Sequence, residues 1–273
     1  MILIKTTKDI EIMAEGGKLL ATVLERLGKE VNIGVTTKEI NRLAEQLIAE
    51  CGGKPSFSLP EAEGGGGFPA ATCVSINDEV VHGIPGPRTI KDGDLVTVDV
   101  GMVYKGFHTD TALTVGVGQV DPEMHRMLRV TKKALKYAIK KARMGNTFGD
   151  VGNTIERYVE SQGFHVISDL CGHGIGRSLH EDPQVLNYGQ RHKRSVIKPG
   201  MVFCPEPMVT KGNPEIIKDK NGWTYRVKDG GFAAHFEHTV AVFPDGCHIL
   251  TKADGEADEP EMSENEDQNY IND

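Results

Sequence analysis

Four acidic residues stand in apolar, β-rich stretches where an acid is expensive. Asp99 closes KDGDLVTVD (91–99), Asp110 lies in GFHTDTALTV (106–115), Glu206 closes KPGMVFCPE (198–206) and Glu237 opens EHTVAV (237–242). Burying an unpaired carboxylate costs several kcal/mol. Like charges side by side in a sheet are destabilising unless something neutralises them. A divalent cation does so. Four carboxylates with one or two histidines suit two hard or borderline cations, one carboxylate pair bridging them. Taken singly, each position has a plainer reading: an aspartate at a strand edge, or a histidine satisfied in the core. The metal reading rests on the set, and on the fact that the set is duplicated.

Two halves of the chain share one pattern. GVTTKEINRLAEQLIAECG (34–52) aligns without a gap on GNTFGDVGNTIERYVESQG (145–163). VHGI (81–84) resembles GHGI (172–175), which puts His82 opposite His173. The two KxG segments put Asp99 opposite Glu206, and Asp110–Val115 matches Glu237–Val242. Four matches in one order argue for an internal repeat. Thr6-x-x-Asp9, Thr36-x-x-Glu39 and Thr147-x-x-Asp150 are capping boxes, each ahead of apolar residues at helical spacing. A further helix is expected from Met124 to Ala142. Asp94–Val100 and Phe107–Val115 read as a hairpin turning near Tyr104–Gly106, which brings Asp99 and Asp110 roughly opposite each other. Residues 201–209 and 238–243 are their counterparts. Helices precede strands in each half, so the fold class is α+β, an antiparallel sheet backed by helices about an approximate two-fold axis. One domain over residues 1–251 is expected, with halves of about 1–118 and 119–251.

Composition narrows the class. Of 273 residues 38% are hydrophobic and 26% charged, which supports a folded core, and no apolar run reaches bilayer length. The five cysteines form no CxxC pair, so neither a disulfide framework nor a thiolate zinc site is indicated. The chain reads as cytoplasmic, with no membrane partner. The net charge of -8 is concentrated at the end: residues 254–273 carry nine acids and no base. The segment 252–273 is expected to be a disordered acidic tail. The remaining chain is near neutral, which argues against a nucleic-acid partner.

HGIP (82–85), VDVG (98–101), GFHTDT (106–111), CGHGIGRSLHEDPQV (171–185), EPMV (206–209) and FEHT (236–239) resemble the methionine aminopeptidases. The similarity runs from about residue 4 to residue 251. It implies the pseudo-symmetric pita-bread fold and two divalent metal ions: Fe(II), Mn(II), Co(II) or Zn(II). By that resemblance Asp99, Asp110, His173, Glu206 and Glu237 are the metal ligands. Asp110 and Glu237 bridge; Asp99 serves one ion, His173 and Glu206 the other. The implied reaction is attack of a metal-bound hydroxide on the scissile carbonyl after an N-terminal methionine, with a small residue following. Glu206 carries the proton to the leaving amine, His180 supports the oxyanion, and His82 contacts the substrate backbone. Phe68, Cys73, Leu179 and Trp223 match positions that line the methionine pocket. The 25 residues between His180 and Glu206 leave no room for the insertion of type 2 enzymes, so the chain looks like a short, bacterial type 1 form. The family implies peptide or nascent-chain substrates and a monomer. It also brings in a transient ribosome contact through the basic stretches 126–143 and 191–194, for which solvated faces are the ordinary reading. Prolidase-like relatives generally carry an extra N-terminal domain, for which there is no room before His82. A binding module that has lost catalysis usually loses ligands, and all five are present.

Three departures from the family pattern stand out. Glycines occupy 64–67 where Tyr and His are usual, and Leu179 replaces a common Phe. A wider pocket or a more mobile lip is expected, and a Tyr at Gly65 should then tighten methionine binding. Pro205 lacks an N–H and must sit outside a ladder. His235 replaces a common Gln and either tunes the metal or packs.

Overall fold

The computed structural model describes residues 1–252. The acidic tail expected over 252–273 lies outside the described residues except for Lys252.

The first half supplies α1 (Thr7–Glu30), α2 (Thr37–Glu50) and the strands β1 (Lys54–Pro55), β2 (Thr72–Ile76), β3 (Glu79–Val81), β4 (Leu95–Tyr104) and β5 (Phe107–Gly116). The second supplies α3 (Pro122–Lys141), α4 (Phe148–Ser161), β6 (His165–Val166), β7 (Cys171–Gly174), β8 (Glu181–Leu186), β9 (Val202–Cys204) and β10 (Met208–Thr210). It continues with β11 (Ile216–Lys218), β12 (Tyr225–Val227), β13 (Ala233–His235), β14 (Glu237–His238), β15 (Val240–Phe243) and β16 (Gly246–Ile249).

The three capping boxes form as the sequence dictates. The hydroxyls of Thr6, Thr36 and Thr147 accept from the N–H groups of Asp9, Glu39 and Asp150, and each acid accepts the threonine N–H in return. Each such cap is worth about 1 kcal/mol. Helix α3 begins two residues before the expected start, because Asp121 caps it and Pro122 occupies its first turn.

Among the described residues every strand pair is antiparallel, laid out as four hydrogen-bonded sheets. The first runs β1-β4-β5-β14 with β2 also on β4; the second five-stranded sheet runs β16-β15-β9-β7-β8. β4 and β5 are joined through Lys105 and Gly106, both at positive φ (49° and 81°), the backbone a two-residue hairpin turn requires. Val96, Val98 and Val100 pack with Leu20, Leu27 and Ile48 under α1 and α2. Asp99 and Thr97 therefore project to the opposite face, as strand alternation predicts. A second core joins α3 and α4 to Phe203, Val240 and Val242. A smaller cluster holding Phe57, Phe68, Cys73 and Leu179 borders the cleft described next.

Candidate active site

One row of directly paired residues crosses four strands: Cys73 on β2, Asp99 on β4, Ala112 on β5 and Glu237 on β14. Paired residues share a face. Ala112 is small, so the carboxylates either side of it face one space. Asp110 pairs with Gly101, one pair along on the same face. The two aspartates are thus diagonal neighbours, which gives the rough opposition expected an exact register. Asp110 is clamped by the other half of the chain. Its N–H donates to Thr239 Oγ1 at 2.8 Å, and the same hydroxyl donates to the Asp110 carbonyl at 2.8 Å. Thr111 N–H donates to Asp110 Oδ1 at 2.9 Å. Glu206 stands between Pro205 and Pro207 in the link from β9 to β10, where the missing proline N–H groups cost no ladder bond. Its carbonyl accepts from Asn187 Nδ2 at 3.0 Å.

Asp99, Asp110, Glu206 and Glu237 are all buried. Burial first, then mutual repulsion, drives the carboxyls of Asp99, Glu206 and Glu237 well above the usual carboxylate range, and burial raises Asp110. Among the described residues, the basic groups at ion-pair distance from this set are two imidazoles. His173 Nε2 lies 3.6 Å from Glu206 Oε1 and 3.8 Å from Glu237 Oε1. His235 Nε2 lies 3.5 Å from Glu206 Oε2 and 3.8 Å from Glu237 Oε2. Burial pushes both rings down to about 3, so both are neutral. Asp99 Oδ1 and Glu237 Oε1 are buried with no hydrogen-bond partner. Ligand atoms within 4.8 Å of one another are offered by Asp99, Asp110 and Glu237, by Glu206, His235 and Glu237, and by His173, Cys204 and Glu237. The centre is rich in lone pairs and short of positive charge, which is what divalent cations correct, and the residues fit them. Cys204 is the weakest candidate, because burial pushes its thiol up and thiolate is the ligating form.

The carboxylates line one side of a cleft of about 470 Å³. The expected pocket residues Phe68, Cys73, Leu179 and Trp223 line it, as do His82 and His180. Phe68 and Trp223 meet edge to face at 5.3 Å. His180 stacks edge-on to His173 at 4.5 Å between centroids. His82 holds φ at 58°, and burial lowers its ring to about 4, leaving it neutral.

The glycine run is ordered by its backbone. Gly65, Gly66 and Gly67 donate to the carbonyls of Pro60, Ser56 and Leu59, and Leu179 N–H donates to Gly64. The expectation for a Tyr at Gly65 is corrected. A Cβ there falls 2.3 Å from Leu59 Cβ and 2.4 Å from its carbonyl oxygen, so a side chain collides with backbone and never reaches the pocket. A Cβ at Gly66 meets Leu179 at 3.1 Å; leucine at 179 fills the space beside it.

Phe57 also lines the cleft. Its sequence context, KPSFS, carries no periodic signal. Thr239 belongs to a quoted motif, but its clamp on Asp110 has no local signature. The basic helix is not one solvated face, since Lys141 is buried. No helix of the described residues is long and apolar enough to cross a membrane.

Residues 11–244 match the model of metallopeptidase family M24. A methionine aminopeptidase of Clostridium perfringens (strain 13 / Type A) is 42% identical over 251 residues, which are 92% of this chain and 99% of that protein. The crystal structure of methionine aminopeptidase from Thermotoga maritima superposes with a TM-score of 0.88 at 43% identity, covering 92% of this chain and all of the other. A prolidase from Pyrococcus horikoshii OT3 shares the fold, with a TM-score of 0.75 at 23% identity, and this chain covers 65% of it. The motifs, the buried carboxylate row and these matches agree: the chain belongs to metallopeptidase family M24, among the methionine aminopeptidases.

Proposed function

We propose that this chain is a two-cation aminopeptidase that removes methionine from the N-terminus of peptides and nascent chains whose second residue is small. The observation that carries the reading is the set of four buried carboxylates, Asp99 and Glu237 each with an unpaired oxygen, beside a partly apolar cleft. Asp110 and Glu237 would be shared, with Asp99 completing one position and His173 and Glu206 the other. The ions are drawn from Fe(II), Mn(II), Co(II) and Zn(II), whose selection in the cell follows availability more than affinity. When bound, they supply the Lewis acidity that makes a water nucleophilic near neutral pH.

The chain's own groups do the rest. Glu206, a buried carboxylate in the lining of the cleft, takes a proton from the attacking water and delivers it to the leaving amine. His180, in the lining of the cleft beside His173, donates to the carbonyl oxygen as it gains charge. His82 is held neutral and contacts the backbone past the scissile bond. Phe68, Cys73, Leu179 and Trp223 exclude water around the methionine side chain.

Residues 1–251 form the catalytic domain in this reading, with halves of about 1–118 and 119–251. It works as a cytoplasmic monomer. Arg191 to Arg194, an exposed basic loop, is the segment offered to the ribosome.

The test is release of methionine from Met-Ala-Ser by metal-stripped protein, with and without Mn(II) or Co(II). Metal-dependent release is expected. Folded protein that releases none with either ion overturns the reading.

A further inference from the structure

His235 carries an observation that the five-ligand set does not use. Its ring is buried, and neither Nδ1 nor Nε2 has a hydrogen-bond partner. Buried imidazole nitrogens are ordinarily satisfied. The residue is not loosely placed: its N–H donates to Thr114 Oγ1 at 2.9 Å, and that hydroxyl donates back to the His235 carbonyl at 2.8 Å. The ring is held against the two glutamates by strand β13, which pairs with β10 at Met208.

The distances fit shared coordination better than hydrogen bonding. His235 Nε2 is 3.5 Å from Glu206 Oε2 and 3.8 Å from Glu237 Oε2. Both exceed the range of an N–H···O bond. Two ligands each about 2.1 Å from one ion stand about 3.4 Å apart at a tetrahedral angle. His173 makes the matching approach to Oε1 of the same two residues, at 3.6 and 3.8 Å. The two imidazoles thus take opposite oxygens of one glutamate pair.

We propose that His235 is a further protein ligand, so that each of the two ions has its own imidazole: His173 on the Oε1 side of Glu206 and Glu237, His235 on the Oε2 side, which would make Glu206 a shared ligand in place of the one-ion role given to it above. The proposal rests on the two-cation reading above. Its consequence is selectivity. A second imidazole moves the centre from an oxygen-dominated set, which suits Mn(II), toward one that favours Zn(II) and Co(II).

The test uses the full-length wild-type protein loaded with Zn(II). Bound zinc is counted by elemental analysis, and X-ray absorption fine structure then counts imidazoles. Two zinc ions with about one imidazole per zinc are expected. Two zinc ions with half an imidazole per zinc overturn the His235 proposal and leave the two-cation reading standing. Fewer than two bound zinc ions overturn the two-cation reading, and this proposal with it. His235→Gln gives a second measure by calorimetric titration of the stripped protein. One zinc site should weaken by more than about 100-fold, beyond the loss of an outer hydrogen-bond partner, and Mn(II) by less. Equal losses for both metals within about tenfold mark His235 as a positioning residue and refute ligation. The wild-type imidazole count decides the matter if the variant does not fold.

Discussion

Thr239→Val removes one hydroxyl and keeps the shape of the side chain. The hydroxyl makes two bonds to Asp110: it accepts the Asp110 N–H and donates to the Asp110 carbonyl, both at 2.8 Å. The losses are unequal. The carbonyl keeps a partner, because Thr239 N–H also donates to it at 3.1 Å. The Asp110 N–H has no second acceptor among the described residues and is left orphaned in a buried site. An orphaned buried donor costs about 1–3 kcal/mol, so urea unfolding of the metal-free variant should show a loss in that range. Asp110 is also released from a clamp that spans the two halves of the chain. Outer-shell partners of metal ligands are worth about 10–100-fold in affinity, and calorimetry with Mn(II) should find a loss of that size. Thr239→Ser keeps both bonds and should stay near wild type in affinity. If Thr239→Val costs less than about 0.5 kcal/mol and leaves affinity unchanged, the clamp does not position Asp110 and the argument fails.

Three further outcomes are expected. Glu206→Gln should fold with a wild-type circular dichroism spectrum and lose turnover on Met-Ala-Ser by at least about 100-fold, as loss of a proton-transfer group does; near wild-type turnover would remove Glu206 from the proton path. Gly65→Ala should destabilise by about 1–3 kcal/mol, because its Cβ overlaps Leu59 backbone, while Gly86→Ala, whose Cβ meets the Ile84 carbonyl oxygen at an ordinary 4.0 Å, should not; equal midpoints in denaturant would show that the loop yields. Lys5→Ala breaks a buried pair with Glu181 at 2.6 Å, and removing one partner of such a pair costs about 3–5 kcal/mol. Glu181 also accepts from the N–H groups of Arg177 and Ser178, so the loop carrying Leu179 and His180 should loosen; unchanged hydrogen exchange across 176–181 would contradict this.

The parts of the site legible in the sequence are those set by local rules. Capping boxes act within four residues, so Thr6, Thr36 and Thr147 announce their helices directly. A two-residue hairpin fixes its own register, so Asp99 and Asp110 could be placed on one face from the turn at Lys105 and Gly106. The exact register came only from the structure, and it matters because it makes Ala112, not Asp110, the residue between Asp99 and Glu237. The glycine run misled for the opposite reason. Glycine tolerates many conformations, and only the neighbouring carbonyls of Ser56, Leu59 and Pro60 show that this run is ordered.

By itself the sequence determined the α+β class and suggested the duplication through residue types at short, recurring spacings, while the family, and with it the five candidate ligands, came through resemblance of whole motifs. The tertiary structure alone decided which residues from distant segments meet. Thr239 reaches Asp110 across 129 positions, and His235, with both ring nitrogens unpartnered, brings Nε2 toward Glu206 and Glu237. No local pattern encodes either contact. Burial and hydrogen-bond satisfaction belong to the packed chain, and a histidine reads the same in sequence whether its ring is solvated, satisfied in a core or aimed at an ion.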